Sequence, residues 1–293
     1  MHKHPLQILD GGMGGELIAR KVNPSSGIWS ASALLEAPEI VCQIHDDFIN
    51  AGARVITTNS YSTVPSYLAK ADMAERFEEL TAVAAELARE TALRSEHNVQ
   101  VAGSLPPLDE SYRFDLVPED ELSRDIYRRL VAVLASRVDL YICETMSCAR
   151  EAVNAAAAAR ALDPDKPLWI SWTLHEQPGN GLRSGESLVQ ALQAVESFAP
   201  DAYLFNCTSP EAISAGLVEI ASLTDKPIGA YPNLFHVPEG WTLDNDISTE
   251  PRSMDEAEFA DFATQWRAAG ASIIGGCCGI GPKFIASLAQ MDL

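Results

Sequence analysis

No stretch of about 18 consecutive apolar residues occurs in this sequence, and its opening, MHKHPLQILDGG, has no apolar core of signal-peptide length. A membrane span and a secretory leader are therefore not expected, and the chain reads as cytoplasmic. Basic residues are scarce: 21 Lys and Arg stand against 41 Asp and Glu, a formal net charge of −20. A surface so acidic repels nucleic-acid phosphates and anionic headgroups, which argues against nucleic-acid and membrane partners and favours solubility. Cysteine is thin as well. Six in 293 residues are too few for a disulfide scaffold, so each one is core filler, metal ligand or nucleophile. No long Pro/Gly/Ser linker divides the chain, which reads as a single domain over residues 1–293. Two nucleotide signatures are missing too: no GxGxxG follows the first strand-like run, and DGGMGG lacks the GK[ST] ending of a phosphate-binding loop.

What the sequence does contain is a repeated alternation. Short runs, apolar on both faces and rich in β-branched or aromatic residues, occur at Gln7 to Gly12, Arg54 to Tyr61, Val99 to Leu105, Leu140 to Thr145, Leu168 to Leu174, Ala202 to Thr208, Pro227 to Tyr231 and Ser272 to Cys277. Such runs are typical of parallel strands covered by helices on both sides. Helix-like stretches follow them, at Pro38 to Ala51, Ala74 to Ser95, Pro118 to Arg137, Ala149 to Leu162, Ser187 to Phe198, Pro210 to Leu223, Asp255 to Ala269 and Pro282 to Ala289. Eight strand–helix units joined by right-handed crossovers close a (β/α)8 TIM barrel, the preferred α/β reading over an open doubly wound sheet. The least regular segments, Pro106 to Val117, His175 to Gly185 and Pro232 to Arg252, each follow a strand's C-terminal end, where barrels keep functional loops. They are expected to wall the substrate.

Reactive residues cluster at those same strand ends: Asp10, Thr58, Asn59, Glu144, Cys207, Cys277 and Cys278. Three thiols from the sixth and eighth strands could hold Zn²⁺ in a tetrahedral site with one position open. Adjacent strand residues point to opposite faces, so Cys277 and Cys278 reach one ion only where the strand gives way to a loop, a bend that Gly275, Gly276 and Gly279 permit. The bland alternative is buried packing, the reading we take for Cys42, Cys143 and Cys148. His45, beside Asp46 and Asp47, is expected to face solvent or satisfy a local bond. Asp10 and Glu144 fit several roles: a turn Asp and an Arg-paired Glu, a glycosidase pair, or two carboxylates that hold a substrate ammonium group. The glycine-rich DGGMGGE suits a substrate carboxylate better than a phosphate.

With these residues in hand, the chain resembles the homocysteine S-methyltransferase family, zinc-dependent barrels that include S-methylmethionine-dependent and betaine-dependent enzymes. The likeness runs nearly end to end, through LDGGMGGEL, IWSAS, ITTNSY, VAGSLPP, CETMSCARE, NCTSP, GAYPN and WRAAGASIIGGCCGIGP. The closing GGCCG, about seventy residues beyond an NC, is its specific signature. By this resemblance Cys207, Cys277 and Cys278 match the zinc-binding cysteines, Asp10 and Glu144 match the acidic residues that hold the homocysteine amino group, and Gly11 and Thr58 match positions lining the amino-acid end. It implies no catalytic side chain beyond these, since the metal-activated substrate thiol is itself the nucleophile. The implied reaction carries a methyl group from an onium donor to homocysteine, giving methionine.

SLPPLDESYRFD departs from the glycine-rich segment of the S-methylmethionine-dependent members, and the loop with NGLRSGES is only loosely similar. The long C-terminal extension of the betaine-dependent enzymes is lacking, and the chain is too short for the folate and cobalamin modules of large methionine synthases. A sulfonium donor, S-methylmethionine or S-adenosylmethionine, is expected by elimination. Rival readings are a zinc-dependent methyltransferase for another thiol or a selenol, and a redox or non-catalytic barrel with a Cys277–Cys278 disulfide.

Overall fold

The computed structural model describes residues 4–22, 28–242 and 245–291. Parts of the single-domain expectation over 1–293, namely 1–3, 23–27, 243–244 and 292–293, lie outside the described residues. Strands β1 (Gln7–Ile8), β2 (Val55–Thr57), β3 (Gln100–Leu105), β4 (Leu140–Met146), β5 (Leu168–Trp172), β6 (Ala202–Asn206) and β7 (Ile228–Tyr231) are joined by β10 (Ala271–Ile274) in one parallel sheet. The sheet closes. Leu9 bridges Val55, the Asp10 N–H donates to the Val55 carbonyl at 3.0 Å, and the Arg54 N–H donates to the Ile8 carbonyl at 2.8 Å. This is the expected (β/α)8 barrel. Between β7 and β10 a small antiparallel pair, β8 (Phe235–His236) and β9 (Glu250–Pro251), rises from the mouth.

The outer ring holds α3 (Pro38–Ala51), α5 (Phe77–Arg94), α6 (Asp120–Leu134), α7 (Ala149–Leu162), α8 (Leu188–Val195), α9 (Pro210–Ile220), α10 (Glu256–Ala268) and α11 (Pro282–Ala289). Their ends carry local signals. Ser187 with Gln190, and Asp255 with Glu258, form capping boxes that satisfy first-turn amides. Pro38 and Pro210 open α3 and α9, where the missing N–H costs nothing. Three short helices were not anticipated: α1 (Met13–Ala19), which follows DGG directly, α2 (Ala33–Glu36) and α4 (Pro65–Ala69).

Side chains alternate along each strand, so one set fills the barrel and the other packs against the helices. Leu9, Val55, Ala102, Leu140, Ile142, Trp169, Ala202, Leu204 and Ile273 form the inner cluster. The larger cluster between sheet and helices includes Ile44, Phe48, Leu80, Leu130, Trp172, Leu217 and Phe259. Continuing the inward set of β4 past Leu140 and Ile142 leads to Glu144, the first polar step toward the mouth.

His45 contradicts its expectation. Its side chain is fully buried, and neither ring nitrogen has a hydrogen-bond partner among the described residues. Val41, Ile44, His45, Phe48 and Ile49 are the buried face of α3, spaced at helical period. The neighbouring aspartates were the wrong guide, because helix rotation and not adjacency decides which face a residue shares.

Candidate active site

The barrel mouth opens into a cavity of about 420 Å³ lined by every site residue the sequence nominated: Asp10, Gly11, Thr58, Asn59, Glu144, Cys207, Cys277 and Cys278 all contribute. The three sulfurs lie within 4.8 Å of one another, grouped so that they could hold a metal ion. The Cys277 thiol donates to Cys207 Sγ at 3.0 Å. All six cysteines are free thiols, so the structure holds no Cys277–Cys278 disulfide. A tetrahedral ion with metal–sulfur bonds of about 2.3 Å wants sulfurs about 3.8 Å apart, a spacing that lies between the 3.0 Å Cys277–Cys207 separation and the 4.8 Å limit of the cluster. Hydrogen bonds from Cys207 and then Cys277 hold the Cys278 thiol well below its ordinary pKa.

Adjacent cysteines meet here because β10 has ended at Ile274 and the chain turns. The Cys277 N–H donates to the Pro232 carbonyl and the Leu234 N–H to the Cys278 carbonyl, both at 2.9 Å. Of the three glycines expected to permit this bend, Gly279 alone is left-handed, at φ +85°. Gly276 is needed for space instead: a Cβ there would lie 2.0 Å from Ile280. Gly12 is constrained from the opposite side, since its Cβ would sit 2.5 Å from the Cys277 carbonyl oxygen. The DGG turn and the CCG turn are thus packed backbone to backbone.

Asp10 and Glu144 enter the same cavity without any cationic partner among the described residues. Asp10 accepts from the Thr57 N–H at 2.7 Å and from Thr57 Oγ1 at 3.2 Å, while Glu144 accepts a short hydrogen bond from Ser104 Oγ. The Arg-paired reading of Glu144 is therefore wrong; its partner is a serine hydroxyl. Burial pushes both carboxyl groups up to about 7, against the opposing pull of those hydrogen bonds. Thr58 lines the cavity, but its hydroxyl is engaged with Ser60 Oγ at 2.8 Å and the Ser104 N–H at 3.1 Å, so it braces the wall. Asn59 donates to the Ser30 carbonyl at 3.1 Å. Cys143 and Cys148 are buried and Cys42 is half-buried, away from the cluster, in keeping with packing roles.

Of the three loops expected to wall the substrate, two do. Ser111 and Tyr112 come from the first, and Leu234, Phe235, Trp241 and Thr249 from the third. Residues 243 and 244 of that third loop lie outside the described residues. The middle loop does not reach the cavity and acts as a brace. Arg183 pairs with Glu176 at 2.9 Å, donates to the Val237 carbonyl at 3.2 Å, and stacks over the Tyr112 ring at 5.1 Å. Glu176 also accepts from the Val237 N–H at 3.1 Å. Sequence reading missed Tyr112, whose hydroxyl lies 3.0 Å from Cys207 Sγ and whose ring meets Trp241 edge-on at 5.7 Å. It missed Trp29, Tyr61 and Tyr67 in the wall as well. Tyr61 and Tyr112 lie in loops, and Trp29 and Tyr67 in helical pieces of four or five residues, too short for any periodicity to betray them, although Trp29 and Tyr61 sit inside the IWSAS and ITTNSY segments.

Fold and site together define a class: a parallel (β/α)8 barrel that gathers three cysteine thiols and two uncompensated carboxylates in one mouth. Comparison with known proteins narrows it. The family model for homocysteine S-methyltransferase matches residues 7–291, and the chain belongs to that family. The Homocysteine S-methyltransferase of Escherichia coli (strain K12) is 32% identical, over 98% of this chain and 96% of its own. Homocysteine S-methyltransferase 3 of Arabidopsis thaliana is 29% identical, over 97% of this chain and 89% of its own. The crystal structure of the metallated homocysteine methyltransferase MmuM from Escherichia coli superposes with a TM-score of 0.82 at 29% identity, covering 98% of this chain and 96% of that one.

Proposed function

We propose that the chain is a zinc-dependent methyltransferase that carries a methyl group from a sulfonium donor, S-methylmethionine or S-adenosylmethionine, to the thiol of homocysteine, giving methionine. The observation that carries this reading is the meeting, in one cavity, of three thiols and two carboxylates that have no cationic partner among the described residues. In it, residues 1–293 form one homocysteine-binding domain, and the enzyme is cytoplasmic and works on small molecules alone. No helix among the described residues is long and apolar enough to cross a membrane.

Cys207, Cys277 and Cys278 would hold Zn²⁺, a fit supported by the donor set, since three thiolates suit zinc and leave a fourth position for a substrate sulfur. When bound, zinc deprotonates a coordinated thiol and so supplies a thiolate nucleophile at neutral pH. Asp10 and Glu144 hold the homocysteine ammonium group, which in turn favours their ionised forms. Gly11 and Thr58 line the amino-acid end. The donor's positive charge lies against aromatic faces: Trp29, Tyr61, Tyr112 and Trp241 face the cavity, and no Lys, Arg or His is among the described residues that line it. These rings also exclude water from the sulfonium carbon, and no side chain is required to move a proton during transfer.

The test is a donor screen with purified zinc-loaded protein and homocysteine, joined to metal analysis under reducing conditions. Methionine from a sulfonium donor and one zinc per chain are expected, with zinc lost in Cys207→Ser, Cys277→Ser and Cys278→Ser. A protein that binds no metal, or a cysteine variant that keeps full turnover, would defeat the reading.

A further inference from the structure

Between its pairs Cys143–Ile170 and Met146–Trp172, β4 uses three residue steps where β5 uses two. This is a bulge, and it falls at Glu144 and Thr145. Bulges re-aim side chains and remove an amide from the ladder. Thr145 is left-handed, at φ +58°, a conformation that β-branched residues avoid. Its displaced N–H is taken up by a side chain. Asn206 Oδ1 accepts from the Thr145 N–H at 2.9 Å and from Ser171 Oγ at 2.7 Å, while Asn206 Nδ2 donates to Thr145 Oγ1 at 2.8 Å. Asn206, Thr145 and Ser171 are all fully buried.

Asn206 is also the last residue of β6, directly before Cys207, another left-handed non-glycine residue at φ +55°. Thr173 ties the two places together a second time: its N–H donates to the Met146 carbonyl at 3.0 Å and its hydroxyl to the Cys207 carbonyl at 3.2 Å. Two strained backbone sites, one next to the carboxylate Glu144 and the other at a metal-cluster cysteine, are therefore locked to each other across β5.

We propose that Asn206 is a positioning residue that sets the span between Glu144 and Cys207, and with it the length of amino thiol the site accepts. The inference rests on the proposed homocysteine reading. Homocysteine and cysteine carry the same ammonium, carboxylate and thiol groups and differ by one methylene, so a fixed span selects between them, and a slack one does not.

The test compares the wild-type protein with Asn206→Ala and with Asn206→Ala combined with Thr145→Gly. Hydrogen exchange of the peptide spanning β4 is read without substrate; zinc content, kcat, and KM for homocysteine and for cysteine are read in the holoenzyme. Asn206→Ala is expected to keep its zinc, lose protection at β4, raise the homocysteine KM at least tenfold with kcat within about threefold, and narrow the preference over cysteine. Thr145→Gly should restore much of the homocysteine KM, because glycine takes the left-handed conformation without the amide pin. An unchanged KM, unchanged exchange, or a loss that glycine does not relieve overturns the proposal. Should Asn206→Ala not fold, Ser171→Ala, which removes one hydrogen bond to the same oxygen, decides: a raised homocysteine KM supports the proposal and an unchanged one overturns it. Inactive wild-type protein that still shows the exchange difference would instead count against the homocysteine reading.

Discussion

Replacing Glu144 by glutamine removes one negative charge and little else. The new amide oxygen can still accept from Ser104 Oγ, and the volume is nearly unchanged, so fold and metal content should be retained. What is lost is a charge-assisted hydrogen bond to the substrate ammonium in a buried site, where Glu144 is only 8% exposed. Such bonds contribute about 1.5–3 kcal/mol, which corresponds to a rise in the homocysteine KM of roughly 10- to 150-fold. kcat at saturating homocysteine should change little, because the ammonium is held equally before and during transfer. The pH dependence supplies an independent check. Both carboxyl groups are raised to about 7 by burial, so in the free enzyme they ionise through neutrality. Below pH 7 they are protonated and no longer attract a cation, so the wild-type KM should climb as pH falls from 8 to 6. In the Glu144→Gln variant only Asp10 titrates, and the climb should be shallower. Initial rates at saturating donor over this range measure both effects. A variant with normal KM and collapsed kcat would refute the reasoning, since Glu144 would then act in the transfer step.

Two further outcomes follow from groups outside the reaction. Burial lowers His45 to about 4 from 6.5, so its neutral form stabilises the fold fully above pH 6.5 and that contribution is lost as pH falls toward 4, by about 2 kcal/mol at pH 5. His45→Leu should therefore lose less stability between pH 7 and pH 5 than wild type in denaturant titrations; parallel profiles would disprove the linkage. Arg183→Ala should leave the homocysteine KM within about twofold and raise the donor KM roughly tenfold, as expected when a stacking contact and a charged hydrogen bond behind Tyr112 are lost. Equal effects on both substrates would contradict its role as a brace for the donor wall.

The elements legible in the sequence are those governed by neighbours along the chain. Pro38–Ala51, Ala149–Leu162 and Pro282–Ala289 run as helices over the very residues their periodicity marks. Strand ends were overextended, at Gln7 to Gly12 and Arg54 to Tyr61 for instance, because the last residues of each run leave the ladder to build the mouth. The loop at His175 to Gly185 was placed against the substrate and instead holds other loops, since a loop's target is a partner distant in sequence. Its binding partners were invisible to any local pattern.

By itself the sequence determined that eight parallel strands would alternate with helices, and that thiols and carboxylates would stand at strand ends, because period and chain order are local properties. Only the tertiary structure decided that Ser104 and not an arginine meets Glu144, that the Tyr112 hydroxyl meets Cys207 Sγ, and that Asn206 fastens the Thr145 bulge. Each of those pairs is separated by 40 or more residues, and only barrel closure fixes which side chains then share a cavity.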